Sequence, residues 1–368
     1  MKYILLITSE FPPLPGGVGN HALNLALSLQ KNDFEVTVVT DYRSEKIKNE
    51  QVFDSTLPFK VIRIERRKII FISYLNRILQ IFKLINNNKE VVIICSGRFS
   101  LWIGGFFKIV FPNTKSIAIL HGSEINLTHK IKSIITNWSL KKFDDLIAVS
   151  NFTKNIALEK NSYLKISVIN NGFSFSKANE YKSELIIKGN PAIITVGNVT
   201  QRKGQINVIN SLPLLKEKFP LINYHVVGIP TEKKQLQLVA NKLNVIDNIT
   251  LHGALSNDEM NIILSQSKVF FMLSNYLKDG DVEGFGIAVL EANALGIPAI
   301  GTRNSGIADA IKDGFSGKLV NPHDNNEIRL ALNDIMSNYD FYSTNAKAWS
   351  TQFTWDIIVK KYLSIIEE

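Results

Sequence analysis

The sequence predicts an α/β protein made of two doubly wound domains, each with a parallel sheet covered by helices. The chain has 368 residues, of which 45% are hydrophobic and 20% charged. This length favours two domains of about 170 residues each over a single core. Short apolar runs alternate with segments of helical periodicity in both halves. A polar stretch, roughly residues 171 to 190, interrupts the alternation and indicates a linker.

The first half carries apolar runs with the length of buried strands. These predicted strands are Lys2–Ile7, Glu35–Thr40, Lys60–Ile64, Val91–Cys95, Ser116–Leu120, Leu146–Val149 and Ile166–Ile169. Helical patterns lie between most of them, for example at His21–Gln30, Ser100–Val110 and Asn151–Lys160. Continuous apolar strands indicate a parallel sheet buried on both faces. We therefore expect an N-terminal domain over residues 1–172, followed by a linker at 173–189.

The second half repeats this design over residues 190–350. Its predicted strands are Ala192–Val196, Asn223–Val227, Ile249–His252, Lys268–Leu273, Ala299–Gly301 and Gly317–Val320. Its predicted helices are Gln205–Lys218, Glu232–Leu243, Asn257–Ser265, Phe285–Leu295 and Asn326–Met336, and a last predicted helix, Thr354–Ile366, follows this domain. Folds of this kind bind ligands at the carboxyl ends of their strands. A cleft between two facing sheet edges is the expected site.

The sequence argues against a disulfide-stabilised, zinc-binding, secreted or membrane-spanning protein. The one cysteine, Cys95, ends an apolar run and allows no disulfide within the chain, which suits a reducing compartment. The histidines show no zinc-site spacing. We expect no signal peptide, because Glu10 follows the first apolar run too closely, and no membrane-spanning run of 18 apolar residues occurs. These observations favour the cytoplasm.

The charge of the chain is concentrated in its first half. Residues 1–172 carry a net charge of +10, within a total of +9. Such a half can attract nucleic acid, an anionic membrane or a phosphorylated acceptor. The densest patch contains Lys60, Arg63 and Arg66–Lys68, followed by the apolar Ile69–Ile72. The pattern Tyr74–Ile85 fits either a helix packed on the sheet or contact with the inner membrane face; without a recognition module, nucleic acid is not the expected partner.

Two predicted strands of the first half are followed by loops suited to ligands. Gly16, Gly17 and Gly19 follow the first strand, although their spacing does not match a dinucleotide fingerprint. Glycines there let the backbone approach a phosphate or sugar, or serve only as a turn. His121 comes directly after another strand, where ligand contact is favoured over a structural role.

Two further loops lie in the second half. Arg202 and Lys203 precede a predicted helix, and cations at the positive end of a helix are unfavourable unless an anion binds there. Glu283 precedes a second helix that begins near Gly286, and Glu291 lies about two turns into it. Free N–H groups at a helix start bind anions, and the two carboxylates can accept sugar or ribose hydroxyls. The arrangement therefore fits a nucleotide-sugar.

These four loops, in this order, resemble glycosyltransferase family 4, the retaining nucleotide-sugar transferases with the GT-B fold. The ending Phe353-Thr354-Trp355-Asp356 before a last helix is also similar to the family. The resemblance implies two Rossmann-like domains facing across a cleft. It also implies an acceptor-binding domain at 1–172, a donor-binding domain at 190–350, and a helix at 353–368 that crosses back to the first domain.

The resemblance also implies roles for the loop residues. Glu291 would hold the donor ribose and Glu283 the transferred sugar, with His121 near its anomeric centre. Arg202 and Lys203 would stabilise the departing diphosphate. Backbone at Gly17 and at Phe285, Gly286 and Ile287 would also contact the donor. Many relatives have an arginine where this chain has Asn198, which leaves more of the charge to Arg202 and Lys203.

The expected reaction is transfer of a hexose, such as mannose, glucose or N-acetylhexosamine, from a UDP- or GDP-sugar. The expected acceptor is an oligosaccharide or a polyprenyl-diphosphate-linked glycan in cell-surface glycan synthesis. No cofactor or metal is expected, because Arg202 and Lys203 can neutralise the diphosphate. Asp279 and Asp281 do have the spacing of the acidic pair found in metal-dependent transferases. Alternatives are a nucleotide-sugar epimerase or a phosphorylase on the same fold, and a dinucleotide-dependent oxidoreductase that would use Asp41.

Overall fold

The computed structural model describes residues 2–44, 47–65, 70–174 and 186–368, and only the backbone of residues 70–72. It contains two compact units. Unit 1 comprises Met1–Gly172 and Trp355–Glu368, and unit 2 comprises Phe173–Thr354. Most of the predicted linker, residues 175–185, lies outside the described residues. Each unit is a parallel sheet with helices between its strands, which confirms the predicted fold class.

Unit 1 is built on a parallel sheet whose central strands are fully buried. Its strands are β1 (Tyr3–Thr8), β2 (Glu35–Asp41), β3 (Lys60–Ile64), β4 (Val91–Ser96), β5 (Lys115–Leu120), β6 (Asp145–Ala148) and β7 (Ile166–Val168). Its helices so far are α1 (Gly17–Lys31), α2 (Ile47–Ser55), α3 (Ile70–Asn87), α4 (Arg98–Val110), α5 (Lys130–Leu140) and α6 (Asn151–Lys160). In the part of the chain described, the strand order is β3-β2-β1-β4-β5-β6-β7. Because helices cover the sheet, β1 and β4 are apolar along most of their length.

Unit 2 has a second parallel sheet. Its strands are β8 (Ala192–Val196), β9 (Asn223–Val227), β10 (Ile249–Gly253), β11 (Val269–Met272), β12 (Ala299–Thr302) and β13 (Gly317–Val320). Its helices are α7 (Gln205–Lys216), α8 (Lys233–Lys242), α9 (Asn257–Gln266), α10 (Ile287–Ala294), α11 (Asn325–Ser337) and α12 (Tyr339–Ser350). Across its described residues the order is β10-β9-β8-β11-β12-β13. The strand order reverses between β8 and β11. Helix α7 follows the loop after β8 and helix α10 follows the loop after β11, so both loops begin at the carboxyl ends of these neighbouring strands.

The last helix, α13 (Trp355–Glu367), belongs to unit 1 and packs against α1. Lys2 Nζ donates to the carbonyl oxygen of Ile366 at 2.9 Å, and His21 Nε2 lies 3.1 Å from the Tyr362 hydroxyl. These contacts bring the end of the chain back to its first strand and helix.

The predicted strands are all observed, and each begins and ends within one residue of its prediction. Helices α2, α5 and α12 were not predicted. Helix α5 was missed although Ile131, Ile134, Ile135 and Trp138 recur at helical spacing. In the structure this apolar stripe is exposed, while Thr136 and Ser139 are buried. The expected pattern of buried apolar residues is therefore reversed.

The predicted basic patch is altered by the structure. Arg66, Arg67, Lys68 and Ile69 lie outside the described residues, as do the side chains of Ile70–Ile72. Arg63 is buried and pairs with Glu50 at 2.9 Å and Asp54 at 2.7 Å. It is therefore not part of an exposed patch. No helix within the described ranges is long and apolar enough to cross a bilayer.

Candidate functional site

The loop between β8 and α7 is held tightly against the segment that follows β11. Gly204 has a φ of +70°, and a Cβ atom there would lie 1.7 Å from the carbonyl oxygen of Leu273. Asn275 donates its backbone N–H to the carbonyl oxygen of Arg202 at 2.9 Å. Both contacts fix Arg202 and Lys203 at the carboxyl edge of the sheet.

Arg202 and Lys203 converge on the same carboxylate. Lys203 Nζ lies 2.9 Å from Glu283 Oε2, and Arg202 Nη1 donates to that oxygen as well. Arg202 Nε lies 3.1 Å from Asp281 Oδ2. Burial alone would raise the pKa of Glu283, but Lys203 and Arg202 outweigh this and hold it below its ordinary value. Glu283 is therefore ionised at neutral pH.

Glu283 precedes helix α10, whose start is shaped by two glycines. Gly286 caps the helix with a φ of +90°, a conformation that glycine adopts without strain. Gly306 donates its N–H to the carbonyl oxygen of Glu283 at 3.0 Å, and a Cβ on Gly306 would lie 2.0 Å from the carbonyl oxygen of Gly284. Glu283 thus lies four residues before the first residue of α10, whose first N–H groups have no partner within the helix.

Glu291 is the fifth residue of α10, just over one turn into the helix rather than the two turns predicted. It is partly buried. Burial raises its pKa, and Lys203 opposes that shift. Its carboxylate has no hydrogen bond to any residue that the structure describes. Lys203 therefore acts electrostatically on both glutamates and unites Arg202, Lys203, Glu283 and Glu291 in one group, which we call the charged cluster.

One sequence interpretation changes here. The sequence explained Arg202 and Lys203 by a bound phosphate, whereas the structure gives both cations protein partners, Glu283 and Asp281. Poorly solvated cations need a nearby counter-charge, and these carboxylates supply it. An incoming anion would compete with Glu283 for the same donors, and the N–H groups of α10 would add to its binding.

Asp279 and Asp281, the acidic pair, both have partners within the protein. Asp279 Oδ1 accepts the N–H of Asp281 at 3.1 Å, and Asp281 pairs with Arg202. Across the described residues, no group of three or more His, Cys, Asp or Glu side chains is arranged to hold a metal ion.

Unit 1 carries its own polar group at the carboxyl ends of β4 and β5. His121 follows β5 and is buried, with Nε2 at 2.9 Å from Ser96 Oγ. Its backbone N–H donates to the carboxylate of Glu124. Burial lowers the pKa of His121 to about 4, so the ring is neutral at pH 7. This ring can exchange hydrogen bonds with hydroxyl groups but carries no charge.

Gly17 is the first residue of α1, and a Cβ added there would meet no atom within 4 Å. Packing therefore does not require a glycine at this position. The open space is compatible with close approach of a ligand to the helix start, and that role stays a prediction.

Three polar residues beside His121 were missed by the sequence reasoning. They are Ser96, Glu124 and His21, whose ring lies edge-on to that of His121 at 5.1 Å between centroids. Ser96 ends β4, so its place at a strand end was an available signal. His21 lies inside α1 among apolar residues, and only the packing of α1 reveals it.

Two protein families together match nearly the whole chain. The family described as Glycosyltransferase Family 4 matches residues 15–177, and the one described as Glycosyl transferases group 1 matches residues 176–350. An uncharacterised glycosyltransferase of Methanocaldococcus jannaschii is 25% identical over 99% of this chain and 98% of its own length. The GDP-mannose-dependent alpha-(1-6)-phosphatidylinositol monomannoside mannosyltransferase of Mycolicibacterium smegmatis is 30% identical over 40% of this chain and 39% of its own.

Solved structures give the same fold. HepE of Anabaena, crystallised with UDP and glucose, aligns with a TM-score of 0.80 and 16% identity over the full length of both chains. Sucrose-phosphate synthase of Thermosynechococcus elongatus aligns with a TM-score of 0.78 and 18% identity over 100% of this chain and 98% of its own. With both family matches and this fold, the chain belongs to the family 4, group 1 glycosyltransferases of the GT-B class.

Proposed function

We propose that this glycosyltransferase moves a hexose from a UDP- or GDP-sugar to a lipid-linked or oligosaccharide acceptor, with retention of anomeric configuration and without a metal ion. The observation that carries the proposal is the charged cluster, in which two cations, two glutamates and a helix N-terminus meet at one sheet edge. Retention is proposed from the family resemblance.

In this proposal, the donor diphosphate binds to Arg202, Lys203 and the N–H groups at Phe285, Gly286 and Ile287. The C1–O bond to the diphosphate breaks, and the acceptor oxygen bonds to C1 on the same face. The leaving diphosphate gains negative charge as its bond breaks, and cations fixed beforehand can lower that barrier by several kcal/mol, about 3 for one well-placed donor. The proton of the acceptor hydroxyl passes to the phosphate oxygen of the departing nucleoside diphosphate, so the products are the glycosylated acceptor and the nucleoside diphosphate.

Glu283 and Glu291 have different proposed partners. Glu283 has a depressed pKa, so it stays ionised and can accept hydrogen bonds from hydroxyls of the transferred sugar. Glu291 has no hydrogen bond within the described structure, and the two hydroxyls of a ribose would supply donors for it. His121, neutral and held by Ser96, is proposed to contact the sugar near its anomeric centre.

The proposed acceptor is supported by the names of several relatives. The mycolicibacterial relative is named as acting on phosphatidylinositol monomannoside, and other relatives are named for colanic acid and amylovoran biosynthesis. These names support a cell-surface glycan as the acceptor, and we propose that a lipid such as a polyprenyl diphosphate carries it. A location in the cytoplasm, against the inner membrane face, fits such an acceptor.

A dinucleotide-dependent oxidoreductase would need a carboxylate at the end of β2 to bind the ribose. Asp41, which would hold the ribose of a dinucleotide, pairs with Arg77. An epimerase or a phosphorylase would share the fold, and the product distinguishes them. An epimerase returns an altered sugar, whereas a phosphorylase requires inorganic phosphate and releases a sugar phosphate.

The test is a panel of UDP- and GDP-sugars. Donor binding should raise the melting temperature of the protein, because a ligand that binds the folded state stabilises it by mass action. The stabilising donors are then incubated with and without a lipid-linked oligosaccharide, and released nucleoside diphosphate is measured. Release of UDP or GDP that the acceptor stimulates supports the proposal. The absence of binding and of release across the whole panel would contradict it.

A further inference from the structure

The exposed apolar side chains of this protein are concentrated on three helices of unit 1. Of 22 large hydrophobic residues exposed in the described structure, 11 lie on α3, α4 and α5. They are Tyr74, Leu75, Leu79, Phe82, Phe106, Ile109, Val110, Ile131, Ile134, Ile135 and Trp138. We call this set the apolar outer face. Scattered exposed hydrophobics need no explanation, but such a concentration indicates an interaction surface.

The three helices are neighbours. The ring of Tyr74 on α3 stacks on Phe99 of α4 at 4.2 Å, and Trp102 of α4 donates from Nε1 to Thr136 Oγ1 of α5 at 2.8 Å. A Cβ on Gly105 of α4 would lie 2.8 Å from Cα of Ser139, so α4 and α5 are in close backbone contact. The exposed residues therefore belong to adjacent helices of one packed layer.

Helix α5 shows the strongest departure from an ordinary surface helix. Ile131, Ile134 and Trp138 recur at helical spacing and are 63%, 61% and 42% exposed. The residues that it buries against α4 include Thr136 and Ser139. A surface helix normally buries its apolar stripe and exposes its polar one. In α5 this arrangement is inverted, so its apolar stripe is left for a partner.

The charge around the face selects the partner. None of α3, α4 and α5 contains an aspartate or glutamate. Exposed Lys130 and Lys132 begin α5, and exposed Lys141 and Lys142 follow its end, none with an ion pair in the part of the chain described. A second copy of the chain bound symmetrically through this face would bring these lysines together, which is unfavourable. Apolar side chains with lysines at both ends of their helix, and a tryptophan among them, suit an anionic lipid surface.

We propose that the apolar outer face inserts into the headgroup layer of an anionic phospholipid membrane, with Ile131, Ile134 and Trp138 entering the acyl boundary. This surface would bring the enzyme to a lipid-linked acceptor. Only that purpose rests on the proposed function; the binding to the membrane does not. The residues of this surface are not those of the patch at Arg66–Ile69.

The test is sedimentation of the full chain with lipid vesicles. We expect binding to vesicles of phosphatidylglycerol and phosphatidylcholine, weak binding to phosphatidylcholine alone, and a blue shift of tryptophan emission that Trp138→Phe reduces. The double variant Ile131→Ser/Ile134→Ser should bind about tenfold or more weakly, since two exposed apolar side chains are lost. Its matched control, Leu238→Ser/Leu330→Ser, removes equally exposed residues from unit 2 and should bind as the unaltered protein does.

The lysines are tested separately. Lys130→Gln/Lys132→Gln should weaken binding to anionic vesicles by about tenfold at low salt and by less at high salt. The exposed pair Lys233→Gln/Lys234→Gln on α8 is the control and should bind normally. Failure to bind anionic vesicles overturns the proposal, as does equal loss in the controls. A dimer that Ile131→Ser/Ile134→Ser dissociates, without vesicle binding, also overturns it. Donor-sugar hydrolysis by the same variants without vesicles tests the proposed function independently.

Discussion

The two units carry polar groups of opposite character at the carboxyl edges of their sheets. In unit 2, Arg202 and Lys203 pair with Glu283, and the two side chains hold the pKa of Glu283 below its ordinary value. In unit 1, His121 is neutral at pH 7, because burial lowers its pKa to about 4, and its partner is the hydroxyl of Ser96. The charged cluster of unit 2 is held together by ion pairs, whereas His121 and Ser96 of unit 1 form a neutral pair. The ion pair of Asp41 with Arg77 lies at the end of β2, elsewhere on the same edge of unit 1.

This difference is not visible in the net charge. Residues 1–172 carry a net charge of +10, yet His121 at their sheet edge is neutral and its ring contacts the hydroxyl of Ser96. The exposed lysines near α5 lie on the outer surface of unit 1 instead. Charge at a sheet edge acts on a bound anion, whereas charge on an outer face acts on a partner surface. The two must therefore be tested by different measurements.

The largest effect is expected for Lys203→Ala. Turnover of the donor should fall by about two orders of magnitude or more, because a cation that stabilises the leaving group acts most strongly in the transition state. Steady-state kinetics with the donor identified by thermal shift measure this. Lys234→Ala, at an exposed position of α8, is the control and should keep full turnover. Unchanged turnover in Lys203→Ala would remove the charged cluster from the mechanism.

The second prediction concerns the neutral group of unit 1. His121 has a pKa near 4 when folded and about 6.5 when unfolded, so the unfolded chain binds more protons between these values. The stability contribution is complete above the unfolded pKa and is lost as the pH falls toward 4. His121 alone should lower the free energy of unfolding by about 2 kcal/mol between pH 7 and 5.

Urea denaturation at both pH values measures this loss, and His121→Gln should reduce it. His21 is also buried, and its pKa is also lowered, so it adds to the slope in both proteins. An equal slope with and without His121 would show that this ring is not buried in its neutral form.

A smaller effect is expected for Glu291→Ala. Donor binding should weaken by about tenfold through loss of a hydrogen-bonded carboxylate. Folding should not suffer, because burial raises the pKa of Glu291 and keeping it ionised costs stability at neutral pH. Calorimetric titration and thermal melts measure the two quantities, with the exposed Glu217→Ala as control. A variant that melts at a higher temperature and binds the donor normally would contradict the ribose assignment.

The smallest effect is expected for metal removal. Excess EDTA should leave turnover unchanged, because Asp281 is paired with Arg202 and Asp279 accepts a backbone N–H, while Arg202 and Lys203 supply the charge for the diphosphate. Turnover is measured with and without the chelator. Loss of activity that magnesium or manganese restores would assign Asp279 and Asp281 a metal role.

The sequence predicted the strands well because their signal is local. Runs such as Val91–Cys95 are apolar throughout, as strands buried on both faces must be, and each ended within a residue of its prediction. Helix α5 also carries a local signal, since Ile131, Ile134, Ile135 and Trp138 recur at helical spacing, and it was missed. What this spacing does not show is that the stripe faces solvent instead of the core. The order of the four loops was also sufficient to indicate the family.

What the sequence determined by itself was the fold class, the position of each site loop at a strand end, and the family that these loops resemble. Only the tertiary structure decided which side chains meet. Arg202 and Glu283 lie 81 residues apart, and Ser96 and His121 lie 25 apart. Such pairs depend on which strands become neighbours in the sheet, and on glycines such as Gly204 and Gly306 that permit close backbone contact. Local periodicity carries the first kind of information, and long-range packing creates the second.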